Sequence, residues 1–295
     1  MNILITGASG FIGQTLTSRL LSQGHSIRVM GRNEAPTGFE NSNYDCLIHL
    51  AGRAHVLKET ATDVYQAFKQ ANVDYSLKVA QFALHLQIKK FVFLSSIGVN
   101  GKHSLNRPFT ESDTPEPHND YAQTKWEAES ALKEFFKGSN TALTIIRPPL
   151  VYGPNPKANF SALLSLCCSP LPLPFGAIDN RRSLISIDNL CHFIELCCTH
   201  QASANQTFLI SDDHDISLNE LVSTIRKTLH RTPGLIPIPI SILKTIFTLI
   251  GKKQLNQQLL GNLQIDTTKA KQVLNWRPLI SFDEGIKRAV INNVI

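Results

Sequence analysis

The sequence lacks the ligand spacings of metal sites and the long apolar runs of membrane proteins. Its six cysteines include no Cys-x-x-Cys pair, and none stands with histidines at zinc-ligand spacing, so no metal site is expected. No apolar run reaches the ~18 residues of a membrane-spanning helix, and the nearest, Ile236 to Ile250, contains Pro237, Pro239 and Lys244. We interpret that stretch as a packed helix, with contact to a membrane surface as the alternative, and we expect no stable membrane insertion.

A targeting segment, an internal repeat and a nucleic-acid-binding motif are also missing. Met1 runs directly into the apolar Ile3-Leu4-Ile5, which is unlike a signal peptide. Cysteines with no disulfide pattern are typical of a reducing compartment, and a cytoplasmic location is therefore expected. The chain has 29 Lys and Arg against 23 Asp and Glu. This mild positive balance suits a phosphorylated small substrate, and no nucleic-acid partner is expected.

What the 295 residues do contain is an alternation of short apolar runs with helical segments. The pattern predicts an α/β fold, a doubly wound parallel sheet whose strands all end at one ligand-binding edge. We expect a dinucleotide-type domain over residues 1–153 and a smaller, mainly substrate-binding region over 154–295. Segments near 184–195 are expected to pack back on the first domain. Only 14 residues, 31–44, separate the second strand from the third, so the outer edge strand is predicted to be reduced or absent.

A glycine-rich turn follows the first predicted strand and opens the first predicted helix. Gly7, Gly10 and Gly13 permit a tight turn, close approach of a pyrophosphate, and close packing of helix on strand. The helix N-terminus then offers free N–H groups to the phosphates. The sequence thus predicts a dinucleotide site that includes Ser9, Phe11 and Ile12.

The end of the second strand bears on which dinucleotide binds. An acidic residue there would hold the ribose hydroxyls of NAD, but the chain has Arg32, which could pair with a 2′-phosphate. NADP is therefore favoured, with NAD as the alternative because Glu34 follows closely.

A Tyr-x-x-x-Lys motif predicts the reacting groups. Tyr121 and Lys125 share one face of a predicted helix, where an ammonium could stabilise a phenolate. Tyr65 and Lys69 match the same pattern. Only Tyr121 follows a strand that ends in a hydroxyl, Ser96, at the ligand edge, so the Tyr121 motif is preferred.

These motifs together resemble an extended short-chain dehydrogenase/reductase of the NAD-dependent epimerase/dehydratase family, which acts on nucleotide sugars. The resemblance rests on the glycine loop, Phe91 to Gly101, the Tyr121 motif, and the run Arg147 to Pro154. It implies a Rossmann-type fold, Ser96 as the residue that orients the sugar, Tyr121 as acid and base, and Lys125 as its activator. The implied cofactor contacts further include Leu50, Ala51, Gly52, Asn72 and Pro148.

On the substrate side, the resemblance implies that Arg182 holds a diphosphate and that Asn159 holds a phosphate or ribose. It also implies a nucleotide-sugar partner, with UDP favoured, and a possible homodimer. Ile97 and Gly98 stand where a dehydratase would carry two carboxylates, so dehydration is disfavoured. We predict hydride transfer at C4 by a 4-keto-sugar reductase, and a UDP-sugar 4-epimerase of the UDP-glucose or UDP-N-acetylglucosamine type with tightly bound NAD is the alternative.

Overall fold

The computed structural model describes residues 1–31, 38–39, 43–54, 63–156, 158–249, 251 and 259–294, without the side chains of 158–159, 247 and 292–294. The strands are β1 Asn2–Thr6, β2 Ser26–Met30, β3 Cys46–His49, β4 Lys90–Leu94, β5 Ala142–Arg147, β6 Leu150–Tyr152, β7 Arg182–Ser186, β8 Gln206–Leu209 and β9 Asp215–Ile216. The helices are α1 Phe11–Ser22, α2 Val64–Lys69, α3 Tyr75–His85, α4 Asp120–Phe136, α5 Ala158–Cys167, α6 Ile187–Thr199, α7 Leu218–Thr228, α8 Ile240–Leu249, α9 Thr268–Leu274 and α10 Phe282–Val294.

Six strands form one parallel sheet in the order β2-β1-β3-β4-β5-β8. The predicted doubly wound α/β fold is therefore confirmed. In the part of the chain that the structure describes, β2 is the outermost strand on its side, as the short 31–44 connection predicts. The carboxyl ends of the parallel strands meet at one edge, which is where such sheets bind ligands.

Helices cover both faces of this sheet and close two apolar cores. On one face, α1 and α6 pack against the strands together with the fully buried Trp276. On the other face, α3 and α4 pack through Val79, Leu132 and Phe136. The four strands β1, β3, β4 and β5 are buried between the two layers, and this explains their nearly continuous apolar sequences.

A smaller sheet of β6, β7 and β9 begins the second part of the chain. It shares an apolar core with α5, α7 and α10, centred on Tyr152, Phe160 and Ile286. The chain does not stay in this region, because α6 returns to pack on α1 and β8 extends the large sheet. Residues after 153 thus contribute to both parts of the structure.

Among the described side chains of helix α8, only that of Leu243 is buried. Its Leu243 is buried in the core of the smaller region, whereas Ile242, Ile246 and Leu249 are 50%, 42% and 80% exposed. The helix has ten residues. Among the described residues, no helix has both the length and the apolar character needed to cross a membrane.

Candidate active site

The glycine loop joins β1 to α1 at the carboxyl edge of the sheet. Gly7 has a φ of +75°, and a Cβ there would lie 2.6 Å from the main-chain nitrogen of Ala51. A Cβ on Gly13 would lie 2.2 Å from the carbonyl oxygen of Gly7. Both positions therefore require glycine. The N-cap of α1, Gly10, supplies no side-chain hydrogen bond, so the first N–H groups of this helix can bind phosphate oxygens.

A cleft of about 260 Å³ opens above this loop. It is lined by the loop, by the ends of β2 and β3, and by the start of α3: Gly7, Ala8, Ser9, Gly10, Val29, Met30, Gly31, Leu50, Ala51, Gly52 and Tyr75. These residues fit the adenosine and pyrophosphate of a dinucleotide, since the walls are apolar and the floor is main chain. Arg32, on which the NADP expectation depends, lies outside the described residues, as does Glu34.

Ser96, Tyr121 and Lys125 come together next to this cleft. Ser96 follows β4 and caps a short 3₁₀ turn, where its Oγ accepts a hydrogen bond from Gly98 N at 3.1 Å. Asn119 caps α4 by accepting from Ala122 N at 2.8 Å, and this cap places Tyr121 in the first helical turn. The side chains of Ser96 and Tyr121 are hydrogen-bonded to each other.

The Lys125 ammonium is buried one turn further along α4. Its Nζ donates to the carbonyl oxygen of Leu94 at 2.9 Å and lies 4.6 Å from the centre of the Phe93 ring. Burial lowers the pKa of Lys125 to about 8, and the Glu129 carboxylate opposes this shift. The same lysine therefore carries its charge through most of the neutral pH range.

Burial raises the pKa of Tyr121 to about 12, and the hydrogen bond from Ser96 partly offsets the rise. The prediction that the Lys125 ammonium and a cationic nicotinamide together favour the phenolate stays a prediction, and in the chain alone the pKa of the phenol lies above its ordinary value. The physical reason is that desolvation of the phenolate outweighs its stabilisation at this position. A second positive charge close to the phenol would stabilise the phenolate, and the oxidised nicotinamide ring of a bound dinucleotide would carry such a charge.

Asn72 organises the loop beside Lys125 from a π-helical turn, Gln70–Asp74, between α2 and α3. Its Oδ1 accepts from Arg53 N at 2.7 Å, and its Nδ2 donates to Arg53 O and to Thr124 Oγ1, each at 3.1 Å. A Cβ on Gly52 would lie 3.0 Å from Asn72 Oδ1 and 3.3 Å from Lys125 Nζ. Asn72 therefore holds the loop after β3 next to Lys125. Its predicted contact with the cofactor stays a prediction.

His49 ties this turn to the glycine loop through a buried chain of hydrogen bonds. Its Nδ1 lies 2.6 Å from Thr6 Oγ1, its Nε2 lies 2.8 Å from Ser76 Oγ, and Ser76 donates to Asn72 O at 2.6 Å. Burial, and then the nearby Lys125, lowers the pKa of His49 to about 3. The imidazole is therefore neutral at pH 7, and it serves as a fixed spacer between the two loops.

Pro148, a predicted cofactor contact, and the predicted substrate-binding residues Asn159 and Arg182 all follow β5 in the chain. Pro148 lies beside Ser96, because its carbonyl accepts from Ile97 N at 2.9 Å. Arg182 begins β7 and donates to Gly261 O at 2.9 Å, and burial lowers its pKa. Asn159 belongs to α5, but its side chain lies outside the described part of the chain.

The sequence analysis missed two histidines of the loop after β4, His103 and His118. His118 lies close to the Gly98 backbone, and burial followed by the charge of Lys102 lowers its pKa. His103 has its pKa lowered by burial, by Lys102 and by Arg182. His118 therefore lies beside the Ser96 turn, and His103 lies close enough to Arg182 for that charge to lower its pKa. Only the folded loop after β4 reveals them. Met30 and Tyr75 in the dinucleotide cleft were also missed, although the end of β2 could have pointed to Met30.

The second Tyr-x-x-x-Lys motif is used differently. Tyr65 lies in α2 and donates to Glu127 Oε1 on α4 at 2.6 Å. Its pKa is raised, chiefly by that hydrogen bond. Tyr65 thus helps to join two helices, and the structure gives it no serine partner of the kind that Tyr121 has.

Comparison with known proteins agrees with this geometry. The NAD dependent epimerase/dehydratase family matches residues 3–211. A UDP-glucose 4-epimerase of Vibrio cholerae is 36% identical over 97% of this chain and 94% of its own length. An Escherichia coli O157:H7 relative, an N-acetyl-α-D-glucosaminyl-diphospho-ditrans,octacis-undecaprenol 4-epimerase, is 27% identical over 82% of this chain and 77% of its own.

The fold is shared with solved structures. A Thermotoga maritima UDP-glucose 4-epimerase crystallised with UDP-glucose superposes with a TM-score of 0.78 at 22% identity, over 99% of this chain and 98% of that one. The family assignment therefore rests on the sequence match, and the architecture agrees with it. The chain belongs to the NAD dependent epimerase/dehydratase family.

Proposed function

We propose that this protein is a 4-epimerase of a nucleoside diphosphate sugar, with UDP as the favoured nucleotide and NAD as the favoured cofactor. The observation that carries the proposal is the 36% identity to a UDP-glucose 4-epimerase over nearly the full length of both chains. The Ser96–Tyr121 pair beside a dinucleotide cleft is the arrangement that such a reaction needs.

The reaction removes hydrogen from C4 of the sugar and returns it to the opposite face. A dinucleotide held by the glycine loop and its cleft would supply the hydride chemistry, and its oxidised ring would add positive charge near the phenol. Tyr121 Oη takes the proton of the C4 hydroxyl in one direction and returns it in the other. Ser96 Oγ orients that hydroxyl, and the Lys125 ammonium stabilises the phenolate.

Dehydration is disfavoured by the turn after Ser96. The two following residues are Ile97 and Gly98, so neither offers a carboxylate to move a C5 proton. A Cβ on residue 98 would lie 3.3 Å from Ala122 Cβ and 3.4 Å from Ser96 Oγ. The helix packing thus leaves little room for an acidic side chain there.

Reduction of a 4-keto sugar by NADPH, which the sequence favours through Arg32, stays a prediction. No described contact supports it, and the relative from V. cholerae supports the alternative, the epimerase. The homodimer and the cytoplasmic location stay predictions as well. So do the roles assigned here to individual residues.

A lipid-linked sugar diphosphate is a second candidate substrate. One relative, by its name, acts on a sugar diphosphate carried by undecaprenol, and α8 of this chain exposes three large apolar side chains. A recognition site that holds mainly the sugar and the diphosphate would accept either carrier.

The test is to denature freshly purified protein, identify the released nucleotide, and then assay turnover. Near-stoichiometric NAD together with interconversion of UDP-glucose and UDP-galactose, or of their N-acetylated forms, supports the epimerase. Protein that releases no nucleotide, prefers NADPH and consumes it with a 4-keto sugar would instead establish the reductase. Turnover of a prenyl diphosphate sugar, with UDP sugars inert, would assign the second candidate.

A further inference from the structure

The positive charge of this protein is concentrated in one segment. Residues 221–265 contain six Lys and Arg and no Asp or Glu: Arg226, Lys227, Arg231, Lys244, Lys252 and Lys253. The other 250 residues hold 23 basic and 23 acidic side chains, so they are balanced. The net charge of +6 therefore belongs to this segment alone.

The same segment exposes a stripe of apolar side chains. Ile242, Ile246 and Leu249 are spaced at i, i+4 and i+7 and share one face of α8. Ile236, which precedes the helix, is 46% exposed. Leu171 is 67% exposed, and its segment is hydrogen-bonded to the one before α8 through Leu173, which pairs with Gly234 and Ile236. These five residues form the apolar patch.

Exposed cations accompany the apolar patch. Lys227 and Arg231, at and after the end of α7, face solvent. Lys244 is also exposed, but it lies on the side of α8 opposite the apolar stripe. Arg226 does not face solvent, because its guanidinium is buried and donates to the carbonyls of Ser169, Leu171 and Pro233. Arg226 thereby holds the Leu171 turn against the chain that leads into α8. The surface is thus built by the fold, and it combines apolar side chains with positive charge and no acid from its own segment.

We propose that the apolar patch and its exposed cations dock on an anionic lipid bilayer. A helix with an apolar stripe and flanking Lys and Arg binds in the plane of the interface, and anionic headgroups attract such cations. The ten residues of α8 span only ~15 Å, so the helix lies on the bilayer and does not cross it.

Docking at this surface would lie close to the substrate side of the protein. Leu243, on the buried face of α8, shares a core with Leu259 and Leu260. The next residue, Gly261, accepts hydrogen bonds from Asn180 and Arg182. The inference goes beyond the proposed function and does not depend on it, because membrane binding is measured without turnover.

The experiment is flotation of the whole protein with vesicles. We expect it to float with phosphatidylcholine vesicles that contain phosphatidylglycerol, and to bind pure phosphatidylcholine far less. Binding should weaken as salt is raised. The variant I242S/I246S/L249S should lower partitioning at least ~10-fold. The variant K227Q/R231Q should lower it ~5-fold or more for each charge removed.

The matched control is L21S/L279S/I291S, which removes three exposed apolar side chains outside residues 221–265 and should bind vesicles like the parent. All variants should keep the parent far-ultraviolet spectrum and nucleotide content, which separates loss of docking from loss of folding. The proposal is overturned by absence of binding to anionic vesicles at low salt, or by equal losses in the control. It is also overturned if the α8 variant abolishes self-association in sedimentation velocity and leaves vesicle binding unchanged, because the patch would then join two copies of the chain.

Discussion

Glu129 lies one helical turn beyond Lys125 on α4 and forms a buried, bidentate ion pair with Arg147 at the end of β5. Arg147 donates from Nε to Oε1 at 2.8 Å and from Nη2 to Oε2 at 2.5 Å, and Ser95 Oγ donates to the same carboxylate. The charge of Glu129 also raises the pKa of Lys125 against the effect of burial. The ion pair therefore acts on the active site through the lysine.

We predict that Glu129→Gln moves the alkaline limb of the pH–rate profile to lower pH. Without the carboxylate, the pKa of Lys125 falls further below its present value of about 8, and the ammonium is lost earlier as pH rises. The unpaired Arg147 should also cost about 3–5 kcal/mol of folding free energy. Profiles are measured below the unfolding temperature of the variant. Glu127→Gln, which removes only the partner of Tyr65 and Gln123, should keep the parent profile, and an unshifted limb in Glu129→Gln would contradict the coupling.

Tyr121→Phe should lower kcat by ~10²–10⁴-fold while the protein retains its dinucleotide. The change removes only the hydroxyl that moves the proton, and it leaves the ring and the helix in place. Nucleotide content and turnover are measured on the same sample. Tyr65→Phe is the matched control from the second motif and should keep its activity. Equal activity losses in both variants would remove the reason for choosing Tyr121.

Gly13→Ala should weaken dinucleotide binding by at least ~10-fold. The added Cβ would lie 2.2 Å from the Gly7 carbonyl, so the loop that holds the phosphates must open. Gly24→Asn is the control, because Gly24 has a positive φ of 79° but no atom within 4 Å of an added Cβ. Binding is followed by fluorescence titration of NADH and NADPH. Unchanged affinity in Gly13→Ala would show that the loop can relax without loss of the site.

His49 should make the fold sensitive to acid. Its pKa is about 3 in the folded protein and near 6.5 when exposed, so the unfolded chain takes up the proton first as pH falls. The free energy of unfolding therefore decreases from about pH 6.5 down to pH 3, by up to ~1.4 kcal/mol per pH unit from this group. His49→Gln should cost about 1–3 kcal/mol at pH 7 but flatten that slope.

Urea unfolding at several pH values checks the His49 prediction. His230→Gln provides the comparison, because it removes an exposed imidazole and leaves the hydrogen-bond chain of His49 intact. A His49→Gln protein with the parent slope would place the acid sensitivity elsewhere.

The sheet, the glycine loop and the Ser96–Tyr121–Lys125 group could be predicted because each depends on local sequence. Strand runs, glycine spacing and an i, i+4 pair are readable without distant contacts. The sequence could not supply the raised pKa of Tyr121, since desolvation depends on the whole surrounding structure. His103 and His118 were missed for a similar reason, because only the folded loop after β4 brings His118 beside Gly98 and His103 near the charge of Arg182.

Helix α2 shows the same limit on a smaller scale. The sequence pattern begins this helical region near Val73, whereas the chain is already helical from Val64, where Asp63 provides the N-cap. The π-helical turn in between has no period that a sequence pattern detects, because it interrupts the 3.6-residue repeat.

That turn makes the length of the segment matter more than its composition. Gln70 and Asp74 are exposed and can vary, but the extra residue between α2 and α3 sets the direction in which Asn72 points. Deleting any one residue from Gln70–Asp74 would remove the π-helical turn and re-aim the segment that carries Asn72. Asn72 would then lose its hydrogen bonds to Arg53 and Thr124, and these bonds would no longer hold the loop beside Lys125. Single-codon deletions here should thus be purged from natural populations even where substitutions at the exposed positions are tolerated.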